Sequence, residues 1–403
     1  MLTNANTSLP PLSLYIHIPW CVEKCPYCDF NSHTFGKNKD QQAIPEQAYI
    51  KELIKDLDAD ITRFSLENRP LHSIFIGGGT PSLFSPQGIG EILKQVLARF
   101  THNNDIEITL EANPGTVEAG KFKGFAQAGV TRLSIGVQSF ASDKLIKLGR
   151  IHDSEQARMA ANMAKEAGIK SFNLDLMHGL PNQSLENALD DLRIAISLSP
   201  DHLSWYQLTI EPNTAFYSKP PKLPQDDILW DIQEQGLALL SQAGYQQYEI
   251  SAYSKTDKQC QHNLNYWQFG DYLGIGCGAH GKITQLKQVN NESSADQGIE
   301  IVRTVKVKHP KGYLDEKRDA LDQLINVNES ELPFEFMMNL LRLKQTFSLT
   351  LFEQTTGLSI NTIMPALNSA KAKGLMQQNN DTWVVTDLGH RYLNDLLELF
   401  LAA

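Results

Sequence analysis

Three cysteines lie within eight residues of one another in the string HIPWCVEKCPYCDF. Cys21, Cys25 and Cys28 are separated by three and then by two residues, so one loop can bring three thiolates to three corners of an iron–sulfur cubane. The fourth iron would then have no cysteine and would be open to a ligand. A zinc site with His17 or His33 as fourth ligand is the alternative, but zinc usually takes two short cysteine pairs and no second C-x2-C is present. The spacing therefore predicts a [4Fe-4S] cluster with an open iron.

A glycine-rich turn and a glutamate follow the next two predicted strands. Gly78, Gly79 and Thr80 belong to the string GGGTP, where glycines without side chains permit close approach to the backbone. Glu111 ends the following strand, in LEANPGT. A lone glycine-rich turn is weak evidence, and a strand-end carboxylate can simply be solvated. Their order directly after the cysteine loop favours one ligand site built from all three segments.

Six short β-branched or aromatic segments alternate with helix-like segments such as 86–99 and 154–167. This alternation predicts right-handed βαβ crossovers and a parallel sheet. Six units are too few to close an eight-stranded barrel, so we expect an α/β fold with a partial (β/α)6 TIM-like barrel. An open doubly wound sheet is the alternative, and both folds collect ligand-binding residues at the carboxyl ends of their strands. The predicted strands are 12–18, 73–76, 106–110, 132–135, 171–176 and 202–208.

The strand–helix alternation ends near residue 250, which divides the chain into three predicted regions. These are a barrel core at 1–250, a connecting insertion with the string HNLNYW at 251–330 and a C-terminal module at 331–403. The polar stretch 288–298 is predicted to be an exposed loop or hairpin tip. The C-terminal module has the order of helices and hairpin of a mostly helical winged-helix domain. Its 5 Lys and Arg residues against 7 Asp and Glu residues favour an interaction or lid role over DNA binding.

The overall charge and the cysteine content limit the kinds of partner and the cellular compartment that are expected. The 403 residues carry 36 Lys and Arg against 46 Asp and Glu, a net charge of −10 that disfavours nucleic acid as the main partner. No apolar run is long enough to span a membrane, and the amino terminus lacks the pattern of a signal peptide. Five cysteines, three of them crowded, indicate reduced thiols. A cytoplasmic protein is therefore predicted, with peripheral membrane contact and homodimer formation left open.

The cysteine motif, with Tyr27 directly before its last cysteine, resembles that of the radical-SAM superfamily. Members bind the methionyl amine and carboxylate of S-adenosylmethionine (SAM) on the open iron, and an electron from the cluster cleaves the sulfonium to give a 5′-deoxyadenosyl radical. The resemblance implies that the three cysteines hold a [4Fe-4S] cluster and that SAM is a second cofactor. It also implies that the GGGTP glycines approach the methionyl ammonium and that Glu111 bonds the ribose hydroxyls.

Further strings resemble the oxygen-independent coproporphyrinogen III oxidase-like group within this superfamily. They are LYIHIPWC, GGGTPS, EANP, SIGVQSF, LGRIHD and NLDLMHGLP, and they cover about residues 12–210. HNLNYW and the C-terminal module extend the resemblance over nearly the whole chain. The resemblance implies a first SAM site lined by Tyr15, Tyr27, Gly78 and Glu111. It implies that a second SAM would be held by Gly79, Thr80, Gln138, Arg150 and Asp175. A purely structural salt bridge between Arg150 and Asp175 is the alternative for these two residues.

Two departures from the oxidase resemble instead the branch of HemW-type haem chaperones. Phe30 stands where the oxidase has a further cysteine, and the segment before Cys21 is too short for the oxidase's N-terminal extension. The resemblance implies a protein that binds haem and transfers it to acceptor haem proteins while carrying the cluster and SAM. A radical-SAM oxidoreductase acting on coproporphyrinogen III or a related tetrapyrrole is the alternative, and an enzyme for an unrelated substrate is a third class. Whether the chain is an enzyme stays open, but no coproporphyrinogen oxidase activity is expected.

The string HNLNYW supplies the residues predicted to contact haem. His262 offers an imidazole ligand, and Tyr266 and Trp267 offer aromatic faces, which together suit a porphyrin. A satisfied histidine beside two packing aromatics is the alternative. His280, in GIGCGAHG, is a second candidate ligand. Cys260 and Cys277 are interpreted as small buried residues, outside any ligand set.

Overall fold

The computed structural model describes residues 9–35, 43–287 and 298–401. The polar stretch predicted as a loop therefore lies outside the described residues, apart from Gly298. The strands are β1 (Leu12–Ile18), β2 (Trp20–Cys21), β3 (His33–Thr34), β4 (Leu71–Gly78), β5 (His102–Ala112), β6 (Arg132–Gln138), β7 (Ser171–His178), β8 (His202–Gln207), β9 (Gln246–Glu249), β10 (Ala252–Ser254), β11 (Asp271–Ile275), β12 (His280–Leu286), β13 (Ile299–Lys306), β14 (Leu321–Asn326), β15 (Phe347–Ser348), β16 (Met376–Asn379) and β17 (Thr382–Val385).

The α-helices lie between these strands and in the C-terminal module, and two 3-10 turns occur at Pro81–Leu83 and Ile360–Thr362. They are α1 (Glu46–Phe64), α2 (Pro86–Leu97), α3 (Thr116–Ala119), α4 (Phe122–Ala128), α5 (Ser142–Lys147), α6 (Ser154–Glu166), α7 (Leu185–Ser197), α8 (Ala215–Ser218), α9 (Asp226–Gln242), α10 (Gln261–Trp267), α11 (Pro310–Tyr313), α12 (Leu332–Leu340), α13 (Thr350–Thr356), α14 (Met364–Ala372), α15 (Asp387–Arg391) and α16 (Leu393–Glu398).

One twelve-stranded sheet organises the chain, in the order β14-β13-β12-β11-β1-β4-β5-β6-β7-β8-β10-β9. The run from β11 to β8 is parallel throughout. All six predicted strands lie in this run. Antiparallel strands extend it at both ends, and among the described residues no ladder joins β14 to β9, so the sheet is open. The predicted α/β class with a barrel-like parallel core is therefore confirmed.

The parallel strands form because both of their faces are covered. β1 (LSLYIHI) is buried at every position except Tyr15, which is half-buried, and such strands read as nearly continuous apolar runs. Helix-start signals match the predicted helices closely. Ser184 caps α7, while α6 is capped by Asp153, one residue before the predicted first residue.

The segment after residue 250 joins the main sheet. After α10, strand β11 runs parallel to β1 and becomes the seventh parallel strand, which the sequence reasoning did not identify. β12, β13 and β14 then continue the sheet as an antiparallel meander. Ion pairing anchors this extension, because buried Lys306 on β13 lies 2.5 Å from Asp56 and 2.6 Å from Asp60 of α1.

The C-terminal module has the predicted winged-helix order. Helices α12, α13 and α14 precede the β16–β17 hairpin, which forms a small antiparallel sheet with β15, and α15 and α16 end the module. The short strand β15 was not predicted. The aromatic side chains of Phe336, Phe352 and Trp383 form its core, which also contains Phe269 and Ile301 of the main sheet region. The predicted helical C-terminal domain is confirmed, and it packs directly against the core.

Candidate functional site

The three motif cysteines lie on a loop that leaves the carboxyl end of β1. β2 pairs with β3, so Cys21 is held in a short parallel ladder and is buried, while Cys25 and Cys28 are half-buried. The backbone N–H of Cys28 donates to the carbonyl of Cys25 at 3.1 Å, which closes a tight turn. The thiols also have polar neighbours from other strands. Thr80 Oγ1 lies 3.5 Å from the Cys21 sulfur, and Arg150 Nη1 lies 3.8 Å from the Cys25 sulfur.

The donor set fits a cluster better than a single metal ion. Within the described ranges, no three His, Cys, Asp or Glu side chains converge to hold one ion, whereas a cubane takes each thiolate on a different iron. The two histidines considered as zinc ligands use ring nitrogens for carbonyl oxygens, His17 Nε2 with Asn31 at 2.8 Å and His33 Nε2 with Lys308 at 3.0 Å. Burial raises the pKa of the Cys21 and Cys28 thiols, so metal binding must displace their protons.

The glycine-rich turn and Glu111 meet as expected. The backbone N–H of Gly78 donates to Glu111 Oε2 at 3.1 Å, and the Gly79 N–H donates to the Ile18 carbonyl at 2.8 Å. A Cβ on Gly78, whose φ is +115°, would lie 2.6 Å from the His17 ring. Burial, together with the nearby Asp175 carboxylate, raises the pKa of Glu111 to about 8. The absent side chains therefore make room for the His17 ring at Gly78 and for the Trp20 backbone, just before Cys21, at Gly79.

Gln138 and Asp175, two of the residues predicted for a second SAM, are each held by hydrogen bonds from other parallel strands. Gln138 ends β6 with φ +68° and accepts a hydrogen bond from the Tyr206 hydroxyl at 3.0 Å. Asp175 of β7 accepts from Ser134 at 2.9 Å and from Asn173 at 2.8 Å. Burial raises the pKa of the Asp175 carboxyl.

No ion pair joins Arg150 to Asp175 in the described structure. Arg150 instead donates to Asn113 Oδ1 at 2.8 Å and to the Gly136 carbonyl at 2.7 Å. The structural salt bridge considered as an alternative is therefore not formed. Tyr27, by contrast, lies near this group on the cysteine loop, with its ring 6.4 Å from that of Phe216, and burial raises its hydroxyl pKa.

Several site residues were missed by the sequence reasoning. Asn113 bridges the two predicted groups, because its amide donates to Thr80 Oγ1 at 3.2 Å and its oxygen accepts from Arg150. It stands in the quoted string EANP but had no assigned role. Ser134, Asn173 and Tyr206 surround Asp175 and Gln138. Asn173 and Asp175 are two residues apart on one strand and therefore share a face, a signal that identifies polar residues directed at the interior.

His262 is one end of a chain of hydrogen bonds, and the other end is Asn265 of the same HNLNYW string. Its Nδ1 lies 3.1 Å from Ser73 Oγ, which lies 2.8 Å from Ser13 Oγ, which accepts from Asn265 Nδ2 at 2.9 Å. Burial lowers the pKa of His262 to about 3, so the imidazole is neutral at physiological pH. A neutral imidazole whose one ring nitrogen is held by a hydrogen bond can use the other nitrogen as a metal ligand.

A cavity of about 790 Å³ connects the candidate haem residues with the cysteine loop. His262, Tyr266 and Tyr15 line it, and so does the exposed His280 at its mouth. The Lys308 and Arg303 cations contribute to a lowered pKa of His280, for which desolvation is the main cause. Trp267 is the exception among the predicted haem contacts, because its ring packs under the guanidinium of Arg342 at 4.5 Å. Tyr15, predicted for the first SAM site, thus also borders the haem candidates.

Comparisons with known proteins find matches to both the parallel core and the C-terminal module. The profile of the Radical SAM superfamily matches residues 15–193, and that of the HemN C-terminal domain matches residues 327–392. The chain is 58% identical to the heme chaperone HemW of Haemophilus influenzae over 395 residues, 98% of each chain. It is 54% identical to the heme chaperone HemW of Escherichia coli over 98% of this chain and 99% of that protein.

The fold is similar to that of a solved radical SAM enzyme, coproporphyrinogen III oxidase (HemN) of Escherichia coli. The TM-score is 0.76 over 97% of this chain and 90% of that chain, at 24% sequence identity. This likeness concerns the fold. Among the described helices, none is both long enough and apolar enough to cross a membrane.

Proposed function

The chain belongs to the radical-SAM superfamily and, within it, to the HemW family, and from this premise we propose that it binds haem and delivers it to acceptor haem proteins. The observation that carries the proposal is His262, which lines a cavity of about 790 Å³ while Ser73 orients its Nδ1. Hydrogen bonds from Ser73 through Ser13 connect His262 with Asn265, three positions later in the same string.

His262 is the proposed iron ligand, because its Nε2 is left for a ligand when Nδ1 bonds Ser73. Tyr266 and Tyr15 supply aromatic surface beside it. A chaperone must release its cargo, so a single protein ligand suits the role better than two strong axial ligands. His280, at the mouth of the cavity, is the second candidate for the iron ligand. Haem that leaves through the mouth would pass this residue.

Cys21, Cys25 and Cys28 are proposed to hold a [4Fe-4S] cluster beside this cavity. When bound, the cluster would offer one open iron to SAM and supply the electron for its cleavage. Tyr15, Tyr27, Gly78 and Glu111 are proposed to line the first SAM site. Gly79, Thr80, Gln138, Arg150 and Asp175 are proposed to hold a second SAM. Support comes from the hydrogen bonds that link Gly78 to Glu111 and Thr80 through Asn113 to Arg150.

A cytoplasmic location is proposed because all five cysteines are free thiols in the structure. The acceptors are proposed to be haem proteins, with nucleic acid disfavoured by the charge of −10. Homodimer formation and peripheral membrane contact are compatible with the proposal and are not required by it.

The test supplies the anaerobic, cluster-loaded protein with haem or with coproporphyrinogen III. A haem chaperone forms a stable Soret band, passes its haem to an added apo-haem protein, and leaves coproporphyrinogen unchanged. Enzymatic formation of protoporphyrinogen would instead support the alternative, a radical-SAM oxidoreductase for tetrapyrroles.

A further inference from the structure

Two lysine ammonium groups lie at the rim of the haem cavity. Lys24 and Lys308 both line it and are exposed, and within the described ranges neither forms an ion pair with a carboxylate. Lys24 Nζ donates to the Phe30 carbonyl at 3.0 Å. Two other cationic side chains already form ion pairs, because Arg303 lies 2.6 Å from Glu335 and Lys282 lies 2.8 Å from Asp271. Among the described residues, the charges of these two lysines are therefore not neutralised by an ion pair.

The backbone at Lys308 is held by hydrogen bonds from other segments that line the cavity. Its carbonyl accepts hydrogen bonds from Asn31 Nδ2 and from His33 Nε2, each at 3.0 Å. The carbonyl of the preceding residue, Val307, accepts from the backbone N–H of Gly278 at 2.9 Å. The side chain of Lys308 therefore extends from a backbone that hydrogen bonds hold in place beside His280.

The buried and half-buried part of the cavity lining contains Tyr15, Tyr266, Tyr272 and His262 beside the polar side chains of His17 and Ser32. The exposed part contains both lysines, Phe30 and Asp29, which is the one carboxylate of the lining. Haem has the same asymmetry, with two propionate carboxylates on one edge and apolar substituents on the other. The complementary orientation puts the apolar edge inward and the propionates at the rim.

Resting on the proposed function, we infer that Lys308, together with Lys24, binds the propionate carboxylates of haem and thereby fixes which porphyrin edge enters the cavity. An ammonium–carboxylate contact at a partly dehydrated rim is stronger than one between exposed surface residues. The two lysines are specificity residues, because they select a porphyrin with free carboxylates.

The test compares haem with haem dimethyl ester by anaerobic Soret titration of the cluster-loaded protein. We expect the wild type to prefer haem by about tenfold or more, the scale of one charge-assisted hydrogen bond. Lys24→Ala/Lys308→Ala should bind haem about tenfold more weakly and the ester as before. Lys308→Arg should keep the preference. Lys317→Ala, at an exposed lysine bordering a different cavity, is the matched control and should resemble the wild type.

Iron content and SAM affinity are measured in each variant, since Lys24 neighbours Cys25. If Lys24→Ala loses iron, Lys308→Ala alone carries the test. A double variant that retains the wild-type preference overturns the inference. Equal binding of haem and ester by the wild type overturns the inference alone, whereas a wild type that binds neither overturns the proposed function as well.

Discussion

Glu107 Oε1 on β5 accepts a hydrogen bond from the backbone N–H of His262 at 3.0 Å. Its other oxygen accepts from the Gln261 N–H at 3.0 Å, and the Cys260 thiol lies 3.4 Å from Oε1. One carboxylate from the parallel sheet therefore caps α10, the helix that carries HNLNYW. Negative charge at this end also complements the helix dipole. The orientation of His262 thus depends on a residue far away in the sequence.

Glu107→Gln should loosen α10, because an amide has one acceptor oxygen where the carboxylate has two. We expect a loss of about 1–3 kcal/mol in the free energy of unfolding and weaker haem binding. Chemical denaturation and Soret titration check this. Glu67→Gln, at an exposed position, is the control and should change neither quantity. Equal stability of Glu107→Gln and wild type would show that the cap is unimportant.

Replacing any motif cysteine by alanine should abolish the cluster. Cys21→Ala, Cys25→Ala and Cys28→Ala each remove one of three iron ligands, so iron, sulfide and the broad visible absorption should all be lost. Cys277→Ala is the matched control, since Cys277 is a buried free thiol on another segment, and it should retain full iron and sulfide. A triple variant with wild-type iron content would rule out this cysteine set.

Gly79→Val should impair cluster and SAM binding together. A Cβ on Gly79 would lie 2.6 Å from the carbonyl oxygen of Trp20, the residue before Cys21, so the cysteine loop must shift. Iron analysis and SAM binding measure both effects. Gly90→Ala is the control, because its added Cβ meets Ala128 at an ordinary 3.5 Å. Normal iron content and normal SAM affinity in Gly79→Val would contradict the close packing of loop and turn.

The pH dependence of the protein's stability should reveal the raised pKa of Glu111. Burial raises its pKa to about 8 from an ordinary value of 4.5, so the folded protein holds this proton more tightly than the unfolded chain. The stabilisation is fully present below pH 4.5 and is lost as the pH rises through about 8. The Glu111→Gln variant has no titrating group at this position, so it should not show this loss of stability.

The melting temperatures of Glu111→Gln and wild type are therefore compared across this range, in cluster-loaded protein without SAM. The difference, variant minus wild type, should increase as the pH rises from about 6 to about 8.5. A difference that is constant with pH would mean that Glu111 titrates as an ordinary solvated carboxylate.

The sequence was informative where the signal is local. The parallel strands are apolar runs buried on both faces, and the cysteine spacing lies on one loop, so both could be predicted. Strand β11 could not, because DYLGI is short and its partner β1 lies some 260 residues earlier, a pairing that only the folded chain reveals. Likewise Glu107 and Ser73 contact His262 from other strands, and no local pattern links them to it.

Trp267 has different surroundings from Tyr266, the other aromatic residue of the string that was predicted to contact haem. Its position beside Tyr266 predicted a haem contact, but neighbouring residues on a helix point in different directions. Tyr266 lines the cavity, whereas Trp267 packs on Arg342 of the C-terminal module. Part of the HNLNYW string therefore joins the two domains.

Haem titration of His262→Ala is the most direct test of the central claim, that haem binds in the cavity with His262 as its iron ligand. The account predicts a shifted Soret maximum and haem binding weakened by more than about 1 kcal/mol. SAM affinity should be unchanged, and His280→Ala should keep the wild-type Soret maximum. A His262→Ala variant with the wild-type Soret maximum and affinity would contradict the account.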